Sequence, residues 1–186
     1  LIVREMTDLL VLDLVEKKLV TDQMVLTIGY DIENLANPKT REKYKGEVTT
    51  DRYGRKVPKH AHGTANLGAK TSSTQKIVDA VMELYDRIVD PSLSVRRVTV
   101  AANRLTDESE AIEPQQYEQL DLFTDYGALE KEKEAQKARL AKERKLQEAM
   151  IAVKKKYGKN AILKGTNLQE GAMTMERNRQ IGGHKA

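Results

Sequence analysis

The sequence contains no cysteine and no tryptophan, and it has a single phenylalanine among 186 residues. The lack of cysteine excludes a disulfide scaffold and any thiolate metal site, and it fits a cytosolic protein. No apolar run is long enough to span a membrane, and the apolar stretch at the start carries too many charges for a signal peptide. The chain starts at Leu1, without a methionine and already within a helical pattern, so we expect a piece of a longer protein.

The net charge of +4 is unevenly distributed. Residues 1–110 hold 17 basic and 17 acidic side chains, residues 111–130 hold five acids and no base, and residues 131–186 hold 15 bases and six acids. A basic tail and a basic loop on a near-neutral body suggest a polyanionic partner, most simply nucleic acid. On charge alone, a solvated helix surface remains an open alternative.

Hydrophobic periodicity predicts the order helix, strand, strand, helix, strand. A helix is expected over residues 2–19, with Arg4, Glu5, Asp8, Asp13 and Glu16 on its rim. Strands are expected over 24–30, 60–69 and 95–102, and a helix from about residue 72 to Asp90. This order predicts an α+β sandwich of the split βαβ type, with two helices on one face of an antiparallel or mixed sheet. Its first strand would lie before residue 1.

The uncovered face of this sheet is predicted to be small and polar. Alternation along the three strands places there Thr27, Gly29, Thr64, Asn66, Thr99 and Ala101, flanked by His62 and Arg97. A sheet face with only a structural role would carry larger side chains. Small residues instead allow a phosphate backbone to approach main-chain N–H groups, a contact that is blind to sequence.

Residues 34–59 are predicted to form a long basic loop. Residues 37–60 hold eight Lys or Arg against three acids, with Tyr44 and Tyr53 between them. Such a segment could track a phosphate backbone and stack on bases. A solvated hairpin extension is an equally good interpretation.

Two further features near the second strand carry alternative interpretations. His60 and His62 point the same way and could hold a metal, but without cysteine or paired carboxylates the site would be incomplete, so we predict none. The stretch from Lys70 through Thr71, Ser72 and Ser73 opens a helix, with Ser72 and Gln75 at capping-box spacing. It is either a seat for a phosphate or a plain helix cap.

The second part of the chain is predicted to be a linker, a charged helix and a flexible tail. The expected divisions are a domain over 1–106, a linker over 107–127, a helix over 128–158 and a basic, flexible tail over 159–186. Only the second half of the helix has an apolar stripe, at Leu146, Met150, Val153 and Tyr157, which would dock on a domain or partner, or self-associate.

The one phenylalanine lies in the acidic linker, within Gln119-Leu120-Asp121-Leu122-Phe123. The apolar triplet of Leu120, Leu122 and Phe123 in a charged connector is typical of an anchor for another protein's pocket.

These segments resemble one known family. The run Val95–Leu105 (VRRVTVAANRL) resembles the last strand of the little-finger domain of Y-family translesion DNA polymerases. The run HGTANL at residues 62–67, followed by TSSTQ at 71–75, is similar to the preceding strand and helix entry. The ending RNRQIGGHKA at 177–186 is similar to the tail of the bacterial UmuC/ImpB/MucB-type branch. In that family, the motif Gln-Leu-x-Leu-Phe binds the replicative sliding clamp, and Gln119, Leu120, Leu122 and Phe123 match it.

The resemblance implies the C-terminal part of an error-prone polymerase for damage tolerance of the SOS type in the bacterial cytoplasm. The fragment itself would be non-catalytic and without a cofactor, while the intact polymerase would use Mg²⁺ on palm carboxylates. The resemblance implies duplex phosphate contacts for the following residues: Arg96, Arg97, Thr99, His62, Thr64, Asn66, Lys70, Thr71, Ser72 and Ser73. A recombinase filament is a further candidate partner. A free-standing nucleic-acid-binding adaptor without polymerase activity is the main alternative, and a self-contained enzyme lacks any credible constellation of catalytic residues.

Overall fold

The computed structural model describes residues 1–111, 126–181 and 184–185 of the chain. The first half is built from two long helices and three long strands, with a small insertion between the first and second long strand. Its elements are α1 (Ile2–Glu16), β1 (Leu19–Tyr30), α2 (Glu33–Ala36), α3 (Pro38–Lys43), β2 (Val48–Thr50), β3 (Lys56–Pro58), β4 (Ala61–Thr71), α4 (Thr74–Ile88), β5 (Val95–Asn103) and β6 (Thr106–Asp107).

The second half is mainly helical. Its elements are α5 (Tyr126–Tyr157), a 3-10 helix (Gly165–Leu168), α6 (Thr174–Asn178), β7 (Gln180–Ile181) and β8 (His184–Lys185). None of the described helices is long and apolar enough to cross a membrane.

The main sheet is antiparallel and has β1 in its centre. The strand order is β4-β1-β5, and the short β6 pairs with the first residues of β1. Along β1, Met24, Leu26 and Ile28 are fully buried and Tyr30 nearly so, while the residues between them are half-buried. This alternation is the expected signature of a strand with one face on a core and one face open.

Helices α1 and α4 cover the same face of the sheet. Helix α4 packs on β4 and on α1, and α1 packs on β5. The two helices and the sheet therefore share one hydrophobic core. Gly63 lets α4 approach β4 closely, because a Cβ there would lie only 2.8 Å from Leu84 Cδ1. The predicted α+β fold, with two helices on one face of an antiparallel sheet, is confirmed. Helix α1 ends earlier than expected, at Glu16, and Lys18 with a φ of 54° turns the chain into β1.

The insertion at residues 33–58 is not the structureless loop that the sequence suggested. It forms α2, α3 and a β-hairpin of β2 and β3, so the hairpin alternative describes it better. The buried Asn34 ties it to the sheet, since its side chain donates to Ser94 O and accepts from Ser94 N. At the other end, Pro58 is fully buried. The insertion is therefore anchored at both ends.

Helix α5 confirms the predicted charged helix, but its buried face differs from the predicted stripe. Met150 of the predicted stripe is buried, but Leu146 and Tyr157 are 59% and 68% exposed. Gln147, which was not predicted, is buried instead, and Ile151 packs against the core. The helix docks on α1 of the same domain, where Lys155 pairs with Glu16 at 2.8 Å.

The segment after α5 was predicted to be flexible; in the structure its residues 164–173 contact α1. The reason is Glu5, which the sequence placed on the exposed rim and the structure buries to 1% exposure. Its carboxylate accepts from Asn167 Nδ2 at 3.0 Å and from Met173 N at 2.9 Å. Lys164 adds an ion pair to Asp8 at 2.7 Å. Hydrogen bonds and an ion pair thus hold this segment on α1.

Candidate nucleic-acid interface

The open face of the sheet is organised in cross-strand rows, with one residue from each of β4, β1 and β5. The register places His62, Thr27 and Thr99 in one row, Thr64, Val25 and Ala101 in the next, and Asn66, Gln23 and Asn103 in the third. The predicted members of this face do share it. Their side chains are short, and the outer ones on β4 and Thr99 on β5 are exposed.

Hydrogen bonds along two of the rows hold this face in place. Gln23 Nε2 donates to Asn66 Oδ1 at 3.0 Å, and Gln23 Oε1 accepts from Asn103 Nδ2 at 3.4 Å. Thr27 Oγ1 and His62 Nδ1 lie 2.9 Å apart. The amide row was not predicted, although Gln23, Asn66 and Asn103 lie at alternating positions of strand-like segments. These side chains form a flat polar surface that keeps spare hydrogen-bonding capacity.

A β-bulge in β5 places two adjacent arginines on the open face. Gly29 pairs with Arg97, but the next residue of β1, Tyr30, pairs with Val95, so Arg96 is an extra residue in β5. In regular pleating Arg96 and Arg97 would point to opposite faces. A bulge redirects a side chain, and both arginines line the same cleft beside Thr27 and Thr99.

The two arginines differ in their surroundings. Arg96 Nη1 lies 3.5 Å from Asp31 Oδ2, and its side chain is 59% exposed. Arg97 is exposed, and no carboxylate of the described residues lies within ion-pair distance of it. Opposite Arg97 stands Gly29, where a Cβ would come within 3.3 Å of Arg97 Cβ. The two arginines therefore present positive charge where the small Gly29 leaves the sheet surface shallow.

The β2–β3 hairpin forms the other wall of this cleft. Arg52, Tyr53 and Arg55 of the hairpin lie along it, across from Arg96 and Arg97 of β5. Asp51 orders the hairpin tip, since its Oδ1 accepts from Tyr53 N and Arg55 N and its Oδ2 accepts twice from the Arg55 guanidinium. That guanidinium lowers the pKa of the Asp51 carboxyl, and Asp51 raises the pKa of Arg55. The tip is charged and ordered at neutral pH.

The sequence predicted a nucleic-acid contact for the hairpin segment only from its composition. The sequence marked residues 37–60 as basic with interleaved tyrosines, without singling out Arg52 or Arg55. Only the fold brings these side chains to the edge of the open face.

Lys70, Thr71, Ser72 and Ser73 do not belong to this face. Lys70 Nζ donates to Arg104 O and lies 3.6 Å from Asp22 Oδ2. Thr71 Oγ1 accepts from Ser73 N at 3.1 Å. The sequence predicted a cap by Ser72, but the N-cap of α4 is Ser73, whose Oγ accepts from Lys76 N.

The predicted phosphate seat at the start of α4 is occupied by a carboxylate of the same chain. Glu143 of α5 accepts from Ser73 Oγ at 2.8 Å and from Gln75 N at 3.0 Å. Ser72 is engaged as well, because Arg144 Nη1 donates to its Oγ and Gln147 Nε2 to its carbonyl. An anion does stabilise this helix end, but here it comes from α5.

The two histidines considered as metal ligands are neighbours in the structure. The His60 and His62 rings lie 6.4 Å apart, edge to face, and His62 bonds to Thr27. Among the residues that the structure describes, no group of three or more His, Cys, Asp or Glu could hold a metal ion.

The linker motif at Gln119, Leu120, Leu122 and Phe123 lies outside the described residues, so its predicted role stays a prediction.

Comparison with known proteins identifies the family. No curated protein and no solved structure matches the chain. The sequence does match the impB/mucB/samB family C-terminal domain over residues 1–122, which is well over half of its 186 residues and includes the whole sheet with its open face. The chain therefore belongs to the impB/mucB/samB family and carries the C-terminal domain found in UmuC-type Y-family translesion DNA polymerases.

Proposed function

We propose that the open sheet face holds duplex DNA by its phosphate backbone, without reading the base sequence. The observation that carries this proposal is the bulge that directs Arg96 and Arg97 to one face. Two adjacent guanidiniums over a row of short polar side chains suit a phosphate group, which accepts charge-assisted and ordinary hydrogen bonds together. Family membership in a class of DNA-copying enzymes supports the choice of DNA as the partner.

The residues of the proposed contact are those of the open face. They are Arg96, Arg97, Thr99, His62, Thr64 and Asn66, with the unpredicted Gln23 and Asn103 beside them. Lys70, Thr71, Ser72 and Ser73, which the resemblance also suggested, are left out of the proposal because their polar groups are already used. Lys70 contacts Arg104 and Asp22, Thr71 accepts from Ser73 N, and Ser72 and Ser73 contact α5.

The test of this proposal is duplex binding as a function of sequence and salt. Several duplexes of unrelated sequence should bind with the same affinity, within about twofold, because phosphate contacts carry no sequence information. The logarithm of the affinity should fall linearly with the logarithm of the salt concentration, since binding releases condensed counterions. Strong preference for one sequence, or affinity that does not respond to salt, would contradict it.

We also propose that the linker tethers this DNA grip to a sliding clamp. The support is the match of Gln119, Leu120, Leu122 and Phe123 to the clamp-binding motif of the family. A weak, sequence-blind grip gains occupancy when a second contact raises its effective concentration at the primer end. Burial of Leu122 and Phe123 would contribute about 1.5–3 kcal/mol each, which permits micromolar binding of roughly −8 kcal/mol after ordering costs.

The clamp proposal is tested by pull-down with a bacterial sliding clamp. The wild-type chain should be retained and the Leu122→Ala/Phe123→Ala variant should not. A Leu105→Ala variant, which removes an exposed leucine outside the motif, is the matched control and should bind as the wild type does. Retention of the double variant on the clamp would contradict the assignment of residues 119–123 as a clamp-binding motif.

The intact protein is proposed to be a DNA-directed DNA polymerase whose Mg²⁺-binding carboxylates lie outside this chain. Two-metal phosphoryl transfer needs clustered carboxylates. The chain alone is accordingly expected to extend no primer in the presence of Mg²⁺ and nucleotides, and extension by the pure chain would refute this division of labour.

A further inference from the structure

The cleft between the β2–β3 hairpin and the bulged end of β5 has features that phosphate contact alone does not use. Its volume is about 730 Å³, which falls in the range of small-ligand sites. Arg52, Arg55, Arg96 and Arg97 line it together with His60 and two tyrosines, Tyr30 and Tyr53. Of the two tyrosines Tyr30 is buried, so Tyr53 is the one that a ligand can reach.

Tyr53 is the unusual member of this cleft. Its side chain is 65% exposed, in a chain with one phenylalanine, no tryptophan and an aromatic content of only 4%. The guanidinium carbons of Arg52 and Arg55 lie 4.7 and 5.0 Å from the ring centroid. Cations at this distance orient the ring by cation–π attraction.

The hairpin tip is held rigidly enough to present this ring. Asp51 accepts the Tyr53 and Arg55 amides and a double contact from the Arg55 guanidinium, with N–O distances of 2.7–3.0 Å. Gly54 takes the left-handed conformation that the turn requires, with a φ of 77°. A ring presented on an ordered turn loses little conformational entropy when a ligand stacks on it.

We propose that this cleft binds one unpaired nucleotide of single-stranded DNA, with its base stacked on Tyr53 and its phosphate toward Arg96 and Arg97. An aromatic ring accepts any base but only an unstacked one, because the faces of a paired base are covered by its neighbours. The cleft adjoins the face that holds duplex DNA in the proposed function, so this inference rests on that function. It adds a contact where the duplex becomes single-stranded.

The experiment compares three DNA substrates with the full chain. The first is a blunt hairpin duplex, and the other two are the same duplex with a 5′ or a 3′ oligothymidine extension. Binding is measured by fluorescence anisotropy for the wild type and for Tyr53→Ala, Tyr53→Trp and Tyr157→Ala. Tyr157 is the matched control, because it is similarly exposed and also has a cation, Lys156 Nζ, 5.1 Å from its ring centroid, but it lies at the end of α5.

Tyr53→Ala should weaken binding to at least one extended substrate about tenfold, which is within the range for one stacked base. Its binding to the blunt duplex should stay within about twofold of wild type, since the duplex offers no unpaired base and its internal bases are stacked on both faces. Tyr53→Trp should restore the extended-substrate affinity, and Tyr157→Ala should change nothing. In the wild type, a 2-aminopurine in the extension next to the duplex should be quenched on binding, and Tyr53→Ala should abolish that quenching.

Equal affinities of wild type and Tyr53→Ala for the extended substrates would overturn the inference while the duplex grip stands. An equal loss on blunt and extended substrates would also overturn it, by assigning Tyr53 to the duplex. If the wild-type chain binds none of the three substrates, the proposed function fails and the inference fails with it.

Discussion

Single residues decide how the two halves of this chain hold together, and Glu5 is the most important of them. Burial raises the pKa of its carboxyl, but hydrogen bonds from Asn167, Met173 and Thr174 together outweigh burial and leave the pKa below its usual value. The carboxylate is thus charged and buried, and each of its oxygens accepts a hydrogen bond. Hydrogen bonds to a charged group typically contribute more than those between neutral groups.

Replacing Glu5 with glutamine should loosen the segment after α5. The amide keeps the size of the side chain but turns one acceptor into a donor facing Met173 N, which would cost about 1.5–3 kcal/mol. We expect a lower midpoint in urea unfolding and faster tryptic cleavage within residues 164–177. The matched control is Glu16→Gln on the same helix, where an exposed pair with Lys155 is lost and the cost should stay below about 1 kcal/mol. Equal stability of wild type and Glu5→Gln would refute the anchoring role.

The same residue gives a pH dependence with a definite sign. Because the pKa of folded Glu5 is lowered from its ordinary value of 4.5, its contribution to stability is complete above that pH and is lost as the pH falls through the folded pKa. The difference in unfolding free energy between wild type and Glu5→Gln should therefore be constant near neutral pH and shrink below about pH 4.5. A difference that stays constant in acid would contradict the assignment.

At the scale of elements, the docking of α5 on α4 is a polar contact. Glu143 caps the start of α4, and Gln147, at 4% exposure, donates to Ser72 O and Thr74 Oγ1. A carboxylate at a helix N-terminus is favoured both by free N–H groups and by the helix dipole. These contacts hold the middle of α5 on the start of α4.

Removal of that carboxylate should free the helix start. For Glu143→Ala we expect a loss of about 1 kcal/mol, typical of a lost cap, and faster hydrogen exchange of the Gln75 amide. Glu148→Ala is the control, since the Glu148 side chain is 60% exposed and its ion-pair partner among the described residues is Arg144 of its own helix, a contact worth about 0.3–0.5 kcal/mol. If the two variants exchange and unfold alike, Glu143 has no capping role.

The elements that sequence predicts well are those fixed by local alternation. Met24, Leu26 and Ile28 alternate with the smaller Val25, Thr27 and Gly29, and burial follows that alternation directly. Glu5 was misplaced because its partners Asn167 and Met173 are 162 and 168 positions away in the chain. The stripe on α5 was only partly right for a related reason. Met150 is buried as predicted, but Gln147 is buried because polar groups of Ser72 and Thr74 face it, which helical periodicity cannot reveal. The bulge at Arg96 likewise depends on the register between β1 and β5.

At the scale of the whole molecule, the domain has two sides with different tasks. The helical side carries α1, α4, α5 and the returning C-terminal segment, which satisfy one another's polar groups. The open side keeps short polar rows, two arginines of the bulge and the hairpin cleft. Such a division leaves one surface open, and the proposal that this surface binds DNA is the central claim about function.

The most direct test of that claim is the salt dependence of duplex binding by an Arg96→Ala/Arg97→Ala variant. If each arginine neutralises one phosphate, the slope of log affinity against log salt should become shallower by about 2. Arg139→Ala, which removes an exposed arginine of α5 on the helical side, should leave the slope unchanged. A double variant with the wild-type slope, or an equal effect of Arg139→Ala, would show that DNA does not bind on the open face.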